Sequence, residues 1–377
     1  MVDFRRVGII TMHRVQNVGS VLQAYALCEK IKQIGARCEL IDYQYPNDTH
    51  RSTCHKTNLI SRLLLFFSRV KFYLLYDNTV QKHNFNKFRN KYLLLSKYYP
   101  TKEDLNSTPP EYDVYMTGSD QVWNPRFTKG DGAFFFDFIK DGYKVAYASS
   151  FSISDIPLEY RDNYRSLLET YSHISVRETS GVRIIKELID KDVHVVCDPT
   201  LLLTKEDYLP LISESVLNKK PKQYILVYAL SYAYDPYPQI EEVIKKVKKQ
   251  LDLPVIYLHA NTVDHYRFGS SITSAGPCEF LDLFYHATFV VSSSFHGVAF
   301  AINFKKPFVA IVPSKHDDSR IMSLLYRLGL ENKAILTNQS LPSKVDTELD
   351  EKYLDKLGDY REDSILYLKK VLTYKKR

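Results

Sequence analysis

The sequence predicts an α/β protein with two doubly wound, Rossmann-like domains facing a cleft. Short apolar runs alternate with segments of helical periodicity twice along the chain, as parallel sheets covered by helices require. A length of 377 residues is more than one typical core organises, so the two alternating stretches separate into two domains. Polar clusters follow several of the apolar runs directly, and the crevice beyond the carboxyl ends of parallel strands is where such sheets bind ligands.

The first domain is expected over 1–205. Residues 6–12 read as a buried strand and 19–34 as a helix, with Val21, Leu22, Tyr25, Leu27, Cys28 and Ile31 at helical spacing. Gly35 closes that helix, and a strand at 38–43 completes a β-α-β unit, which implies parallel pairing and a right-handed crossover. An insert at 47–110 breaks the rhythm and reads as two helices, 59–76 and 79–96, ending in Thr108-Pro109-Pro110. Strands at 112–117, 144–149, 173–176 and 194–197 then alternate with helices at 158–171 and 179–189. The second domain is expected over 206–335, its first strand entered after Lys219-Lys220-Pro221. Strands at 224–229, 255–258, 289–292 and 308–311 alternate there with helices at 238–251, 279–286 and 296–303. The closing segment, 336–377, carries a helix at 351–373 that reads as packing back on the first domain.

Composition bounds the class. Apolar residues make up 45% and charged residues 25%, as in ordinary soluble globular chains. The 29 Tyr and 20 Phe fit aromatic cores, sugar-stacking surfaces or compositional drift. Residues 1–6 lead straight into Val7-Gly8-Ile9-Ile10, too short a run for a secretory signal core. The longest apolar stretch, 59–76, is interrupted by Arg62, Arg69 and Lys71, which argues against a spanning helix. The five cysteines are scattered, with no Cys-x-x-Cys pair, which suits a reducing compartment and free thiols. The expectation is a cytoplasmic protein. Its net charge of +7 is local: residues 51–102 hold eleven Lys/Arg against the single acid Asp77, so the remainder is slightly acidic.

Six clusters carry candidate chemistry. His13-Arg14-Val15-Gln16-Asn17-Val18-Gly19-Ser20-Val21-Leu22-Gln23 is a strand end, a polar turn and a helix start, read either as an anion-binding corner or as a capped turn. With one glycine it is neither a dinucleotide fingerprint nor a P-loop. Thr117-Gly118-Ser119-Asp120-Gln121-Val122-Trp123-Asn124-Pro125 places a carboxylate beside the only Trp, which suits a sugar, although a lone Trp is more often core. Ser175-Val176-Arg177-Glu178 offers a guanidinium for a carboxylate or phosphate, or a weak ion pair. Asp198, in Cys197-Asp198-Pro199-Thr200, either orients Arg177, binds a hydroxyl or stabilises a turn. The sharpest is Ser292-Ser293-Ser294-Phe295-His296-Gly297, where an apolar strand ends in serines and enters an apolar helix at a histidine. Hydroxyls and free N–H groups converge there on the positive end of a helix dipole, next to a group suited to proton exchange. Arg320, after Lys315-His316-Asp317-Asp318-Ser319, starts another helix and reads as reaching the same anion or as part of a solvated first turn. No serine-nucleophile elbow and no compact metal pattern is present, so no metal is expected.

In this order the clusters resemble the polysaccharide pyruvyl transferase family. The resemblance rests on residues 17–27, 118–124 and 175–178, on Asp198-Pro199-Thr200, on Gly276-Pro277 with Glu279-Phe280, and on Ser294-Phe295-His296-Gly297. It covers about 6–335 apart from the insert. It implies a two-domain fold similar to GT-B glycosyltransferases, phosphoenolpyruvate as donor and co-substrate with no other cofactor, and a pyruvate ketal on a hexose of a capsule or exopolysaccharide precursor. Arg177 matches a basic donor ligand of the family. The family's Arg-x-His-Gly matches at His296 and Gly297, but Ser294 stands at the arginine position, so another cation is needed and Arg320 is the candidate.

The resemblance implies a division of labour. Arg177, Ser293, Ser294, Gly297 and Arg320 are expected to hold the donor on the second domain, with His296 as the acid. Asn17, Gly19, Gln23, Trp123 and Asp198 are expected on the acceptor side, with Asp120 as a base. The basic insert reads either as a contact to the inner membrane face, where a lipid-linked acceptor would sit, or as helices covering the sheet with a solvated face. A nucleotide-sugar glycosyltransferase and a non-catalytic glycan- or membrane-binding homologue are the alternatives. No nucleic-acid reader motif accompanies the basic stretch, so no nucleic-acid partner is expected.

Overall fold

The computed structural model describes residues 5–45, 77–217, 220–231, 233–258, 268–314 and 320–373. The helix expected at 59–76 and the segment 315–319 lie outside the described residues.

Two parallel sheets organise the chain. The first holds β1 (Arg6–Ile10), β2 (Arg37–Tyr43), β3 (Leu95–Tyr99), β4 (Val114–Thr117) and β5 (Lys144–Ala146), in the order β3-β2-β1-β4-β5. A parallel pair, β6 (Ile174–Val176) and β7 (Val193–Val195), extends it through bridges at Val145–His173 and Ser149–Val176. The second sheet holds β8 (Ile225–Tyr228), β9 (Val255–Leu258), β10 (Gly269–Ile272), β11 (Phe289–Ser292), β12 (Phe308–Val312) and β13 (Ala334–Leu336), in the order β10-β9-β8-β11-β12-β13. β4, β8, β9, β11 and β12 are buried along their whole length, as strands covered by helices on both faces must be.

Strand order reverses between β1 and β4 in the first sheet and between β8 and β11 in the second. A crevice opens where crossovers depart in opposite directions, outside the carboxyl ends of the strands. β1 and β4 lead into residues 12–20 and 118–121. β8 leads towards Leu230, Ala233 and Tyr234, and β11 into residues 293–296. Topology alone therefore brings the polar clusters to two neighbouring mouths.

The helix Val18–Gln33 begins where the Asn17 side chain accepts from the Ser20 amide (3.2 Å) and ends at Gly35, whose φ of +96° a glycine adopts without strain. One core cluster takes Leu22 and Leu27 of this helix together with Leu226, Val290 and Phe300 of the second half, so the halves share packing. The helix Tyr353–Thr373 touches both: Tyr367 donates to the Ala146 carbonyl (3.0 Å), Tyr353 donates to that of Ile302 (2.9 Å), and the Cys197 amide donates to Ser364 (2.9 Å).

The expected helix at 79–96 is corrected. The helix is Asp77–Tyr92, and the leucines after it enter β3. The open edge of β2 pairs Leu40 with Leu95 and Tyr43 with Tyr99, and this pairing overrides the helical look of a leucine run. The short edge strands β10 and β13 are further additions to the sequence reading; Gly269-Ser270-Ser271-Ile272 has no apolar run to signal β10. Cys28, Cys38, Cys197 and Cys278 are buried free thiols. Among the described residues no helix is long and apolar enough to cross a membrane.

Candidate active site

The two mouths meet in one narrow cleft. Met12, Asn17, Ser20, Asp120, Gln121 and Phe127 line it from the first half, and Ser294, Phe295, His296 and Arg320 from the second. A small neighbouring cavity shares Ser294, Phe295 and Arg320 and adds Leu230, Ala233, Tyr234, Ser293, Pro313 and Ile321. Two capped helices begin at the cleft, and the first described residue of a third, Arg320, lines it. Asn17 caps Val18–Gln33, and Ser294 caps Phe295–Asn303 by accepting from the Gly297 amide (3.4 Å). Their N–H ends and dipoles favour an anion between them.

Behind the cleft wall lies a closed charge cluster. Arg177, after β6, donates to Asp198 Oδ2 (2.6 Å) and Asp120 Oδ1 (3.3 Å), and its guanidinium lies 4.7 Å from the centre of the Phe295 ring. Asp198 also accepts from Ser119 (3.0 Å) and from the Thr200 amide (3.0 Å) and hydroxyl (2.8 Å). Asp120 accepts from the Ser20 hydroxyl and sits at φ +76°, a left-handed conformation that costs a non-glycine residue energy and recurs at functional turns. Burial opposes the charge on Asp120, but Arg177, His296 and Ser20 outweigh it and hold the carboxyl below the ordinary range. Asp198 is depressed too: burial is again opposed, by His296, Arg177 and the Thr200 amide. Glu178 goes the other way, because burial outweighs Arg177 and Arg320 and raises it.

His296 joins the halves. Its Nε2 faces Asp198 Oδ2 at 3.7 Å, beyond hydrogen-bond length, and among the described residues it has no hydrogen-bond partner. The other edge of the ring lies over Gly19: a Cβ built there would stand 2.0 Å from Nδ1. Gly19 is thus required by the close approach of His296, since its backbone is ordinary helix. Gly19→Ala is expected to leave the melting temperature near that of the parent but to displace the imidazole and lower turnover about 10- to 100-fold, because misplacing a reacting group by an ångström is costly. Unchanged kcat in that variant would show that the contact has no catalytic consequence.

Several expected contacts are corrected. Trp123 offers no face to a sugar: it is fully buried and stacks on Phe135 (5.4 Å, 9°) beside Phe151 and Tyr171. Gln23 is fully buried and donates to Thr11 (2.9 Å) and to the Ser20 carbonyl (2.8 Å), so it braces the helix start. Asp198 orients Arg177, one of the readings its position offers, and does not line the acceptor side. Arg177 itself has no exposed side-chain surface and faces carboxylates, so it lines neither cavity. Gly297 meets Ser292 and the Tyr228 ring, where a Cβ would approach to 2.2 and 2.9 Å; close packing on the sheet accounts for it. The Ser293 hydroxyl donates to the Leu230 carbonyl (3.0 Å) and accepts from the Leu230 amide (2.8 Å), which ties the ends of β8 and β11 together at the mouth of the second cavity.

Asn17, Asp120, Ser294, His296 and Arg320 do come together at the cleft. Ser20 and Gln121 line it as well, and sequence reasoning passes over them although each is close to an expected residue. The signal for Ser20 is its place three residues after Asn17, on the same helix face. Phe127 and Tyr234 carry no such signal. The Tyr234 hydroxyl lies within hydrogen-bond reach of the carbonyls of Ser293 (2.9 Å) and Ile311 (2.5 Å).

A family model described as polysaccharide pyruvyl transferase matches residues 17–315. None of the curated proteins compared with the chain matches it in sequence. Among solved structures, a UDP-GlcNAc 2-epimerase from Methanocaldococcus jannaschii aligns with a TM-score of 0.52 at 12% identity, covering 94% of this chain and 92% of that one. The M. jannaschii epimerase in complex with UDP-GlcNAc and UDP aligns at 0.50 and 12% identity, covering 96% and 99%. A UDP-glucosyltransferase from Polygonum tinctorium aligns at 0.47 and 8% identity, covering 99% of each chain. At such identities the likeness is one of fold, an α/β architecture of parallel sheets shared with the two epimerase structures.

Proposed function

The chain belongs to the polysaccharide pyruvyl transferase family, and from that premise we propose that it transfers pyruvyl from phosphoenolpyruvate to a hexose of a surface-glycan precursor. The observation that carries the proposal is the cleft itself, where two capped helix starts, Arg320 and His296 converge on one small space.

The donor is a compact anion, and its phosphate and carboxylate suit the N–H groups at the start of the helix Phe295–Asn303 and the Arg320 guanidinium. Ser294, where the family has arginine, spends its side chain on the helix cap, so Arg320 supplies the missing positive charge. His296 protonates C3 of the enol, leaving an oxocarbenium-like C2. One acceptor hydroxyl adds there and phosphate leaves; a second hydroxyl adds and closes the ketal, one hydroxyl proton leaving with the phosphate and the other restoring His296. Asp120 is ionised well below neutral pH. A carboxylate that acidic is a poor proton acceptor but a fixed hydrogen-bond acceptor, and in this reading it orients an acceptor hydroxyl. Arg177 and Asp198 hold Asp120 and His296 in place from behind. The reaction calls on no cofactor, and a cytoplasmic setting suits its donor.

The test is incubation of the purified chain with phosphoenolpyruvate and a candidate saccharide. Phosphate release with addition of pyruvate less one water to the glycan supports the reading. Release of a nucleoside diphosphate from a sugar nucleotide, with phosphoenolpyruvate inert, would replace it with glycosyl transfer.

A further inference from the structure

The loop that carries Asn17 into the cleft also carries basic groups that the proposed reaction does not use. His13 is buried, with Nδ1 3.1 Å from the Thr11 carbonyl and Nε2 2.9 Å from Asp42 Oδ1. Arg14 forks onto the same Asp42 and lies 4.3 Å from the centre of the Tyr98 ring. Arg89, on the helix Asp77–Tyr92, donates to the Arg14 carbonyl (2.9 Å) and to Asn86. Among the described residues Asp42 is the carboxylate that faces these three groups. Burial first, and then the neighbouring Arg14, lower the affinity of Arg89 for its proton, and Asp42 opposes them. The cluster stands at the rim of the cleft: Met12 and Asn17, on either side of His13 and Arg14, line it. The helix bearing Arg89 reaches the second half, where Asn84 donates to the Ser274 carbonyl (3.0 Å).

We propose that Arg14 and Arg89, backed by the buried His13 and Asp42, form an anion subsite for a phosphate-bearing part of the sugar acceptor. Among the described residues two guanidinium groups face a single carboxylate on this half-buried rim, and planar guanidinium groups match phosphate oxygens. The subsite lies on the first-half side of Asn17, opposite the groups assigned to the donor. Naming the acceptor rests on the transferase reading; the binding of phosphate does not.

The experiment is titration of inorganic phosphate into the full chain at low salt, for the parent, Arg89→Met and Arg320→Met. The expected result is two sites, one weakened at least about tenfold by Arg89→Met and the other by Arg320→Met, as for loss of a charged hydrogen bond. With saccharides, Arg89→Met is expected to raise KM about tenfold or more for a phosphorylated acceptor, leaving KM for phosphoenolpyruvate and for an unphosphorylated acceptor unchanged. Phosphate binding indifferent to Arg89→Met in a folded variant overturns the proposal, as does an equal rise in KM for both acceptors. If Arg89→Met does not fold, the His13 ring resonances of the parent decide: they shift with added phosphate, or the subsite does not exist. An Arg89-dependent phosphate site in a chain that transfers no pyruvyl would sink the transferase reading and leave this one standing.

Discussion

Replacing His296 by alanine is expected to lower turnover of phosphoenolpyruvate by about 10²- to 10⁴-fold, the range for loss of a positioned acid. Among the described residues His296 is the one imidazole lining the cleft, and it lies between an ionised Asp198 and the first turn of the helix Val18–Gln33. The loss should fall on kcat more than on KM for the donor, because Arg320 and the helix starts remain. His296→Gln, which keeps most of the volume over Gly19, should be nearly as inactive. A variant with parental kcat and an unchanged melt would remove His296 from the chemistry.

Arg177→Met is expected to have the largest effect on stability, about 3–5 kcal/mol, because it leaves Asp120 and Asp198 buried without their shared cation. The pH dependence follows from the direction of the shifts. In the parent both carboxyls titrate below their unfolded value of about 3.9, so their contribution is present above about pH 4 and is lost as pH falls through the folded values. Without Arg177 both folded values move up, because burial then opposes the charge with one partner fewer beside His296, so the variant gains stability relative to the parent as the carboxyls protonate. Urea unfolding between about pH 7 and pH 4 should therefore show the deficit shrinking on acidification. A deficit constant across that window would mean that packing against Phe295, and not charge, is what Arg177 provides.

Much of the fold is legible in the sequence because it rests on periodicity. The alternation of β8, β9, β11 and β12 with their helices follows apolar runs that parallel strands need on both faces. The edge strands are not legible: β3 depends on the free edge of β2, which lies far away in the chain. The site divides in the same way. Ser294 and His296 announce a strand-to-helix corner, and Asn17 announces a helix start. Periodicity does not say which way Trp123 points, and the aromatic partners that enclose it come from separate segments of the chain. Nor does it say that Arg177 would spend its guanidinium on Asp120 and Asp198, since that pairing depends on how β4, β6 and β7 end beside one another. Gly19 reads as part of a ligand-binding turn; what it accommodates is a ring from the other half of the chain.

A crystal structure of the chain with phosphoenolpyruvate bound tests the central claim most directly. The expected density lies between Ser294, His296 and Arg320 on one side and Asn17 and Ser20 on the other, with C3 nearest the imidazole. Donor density in a different part of the molecule, with His296 untouched, would contradict it.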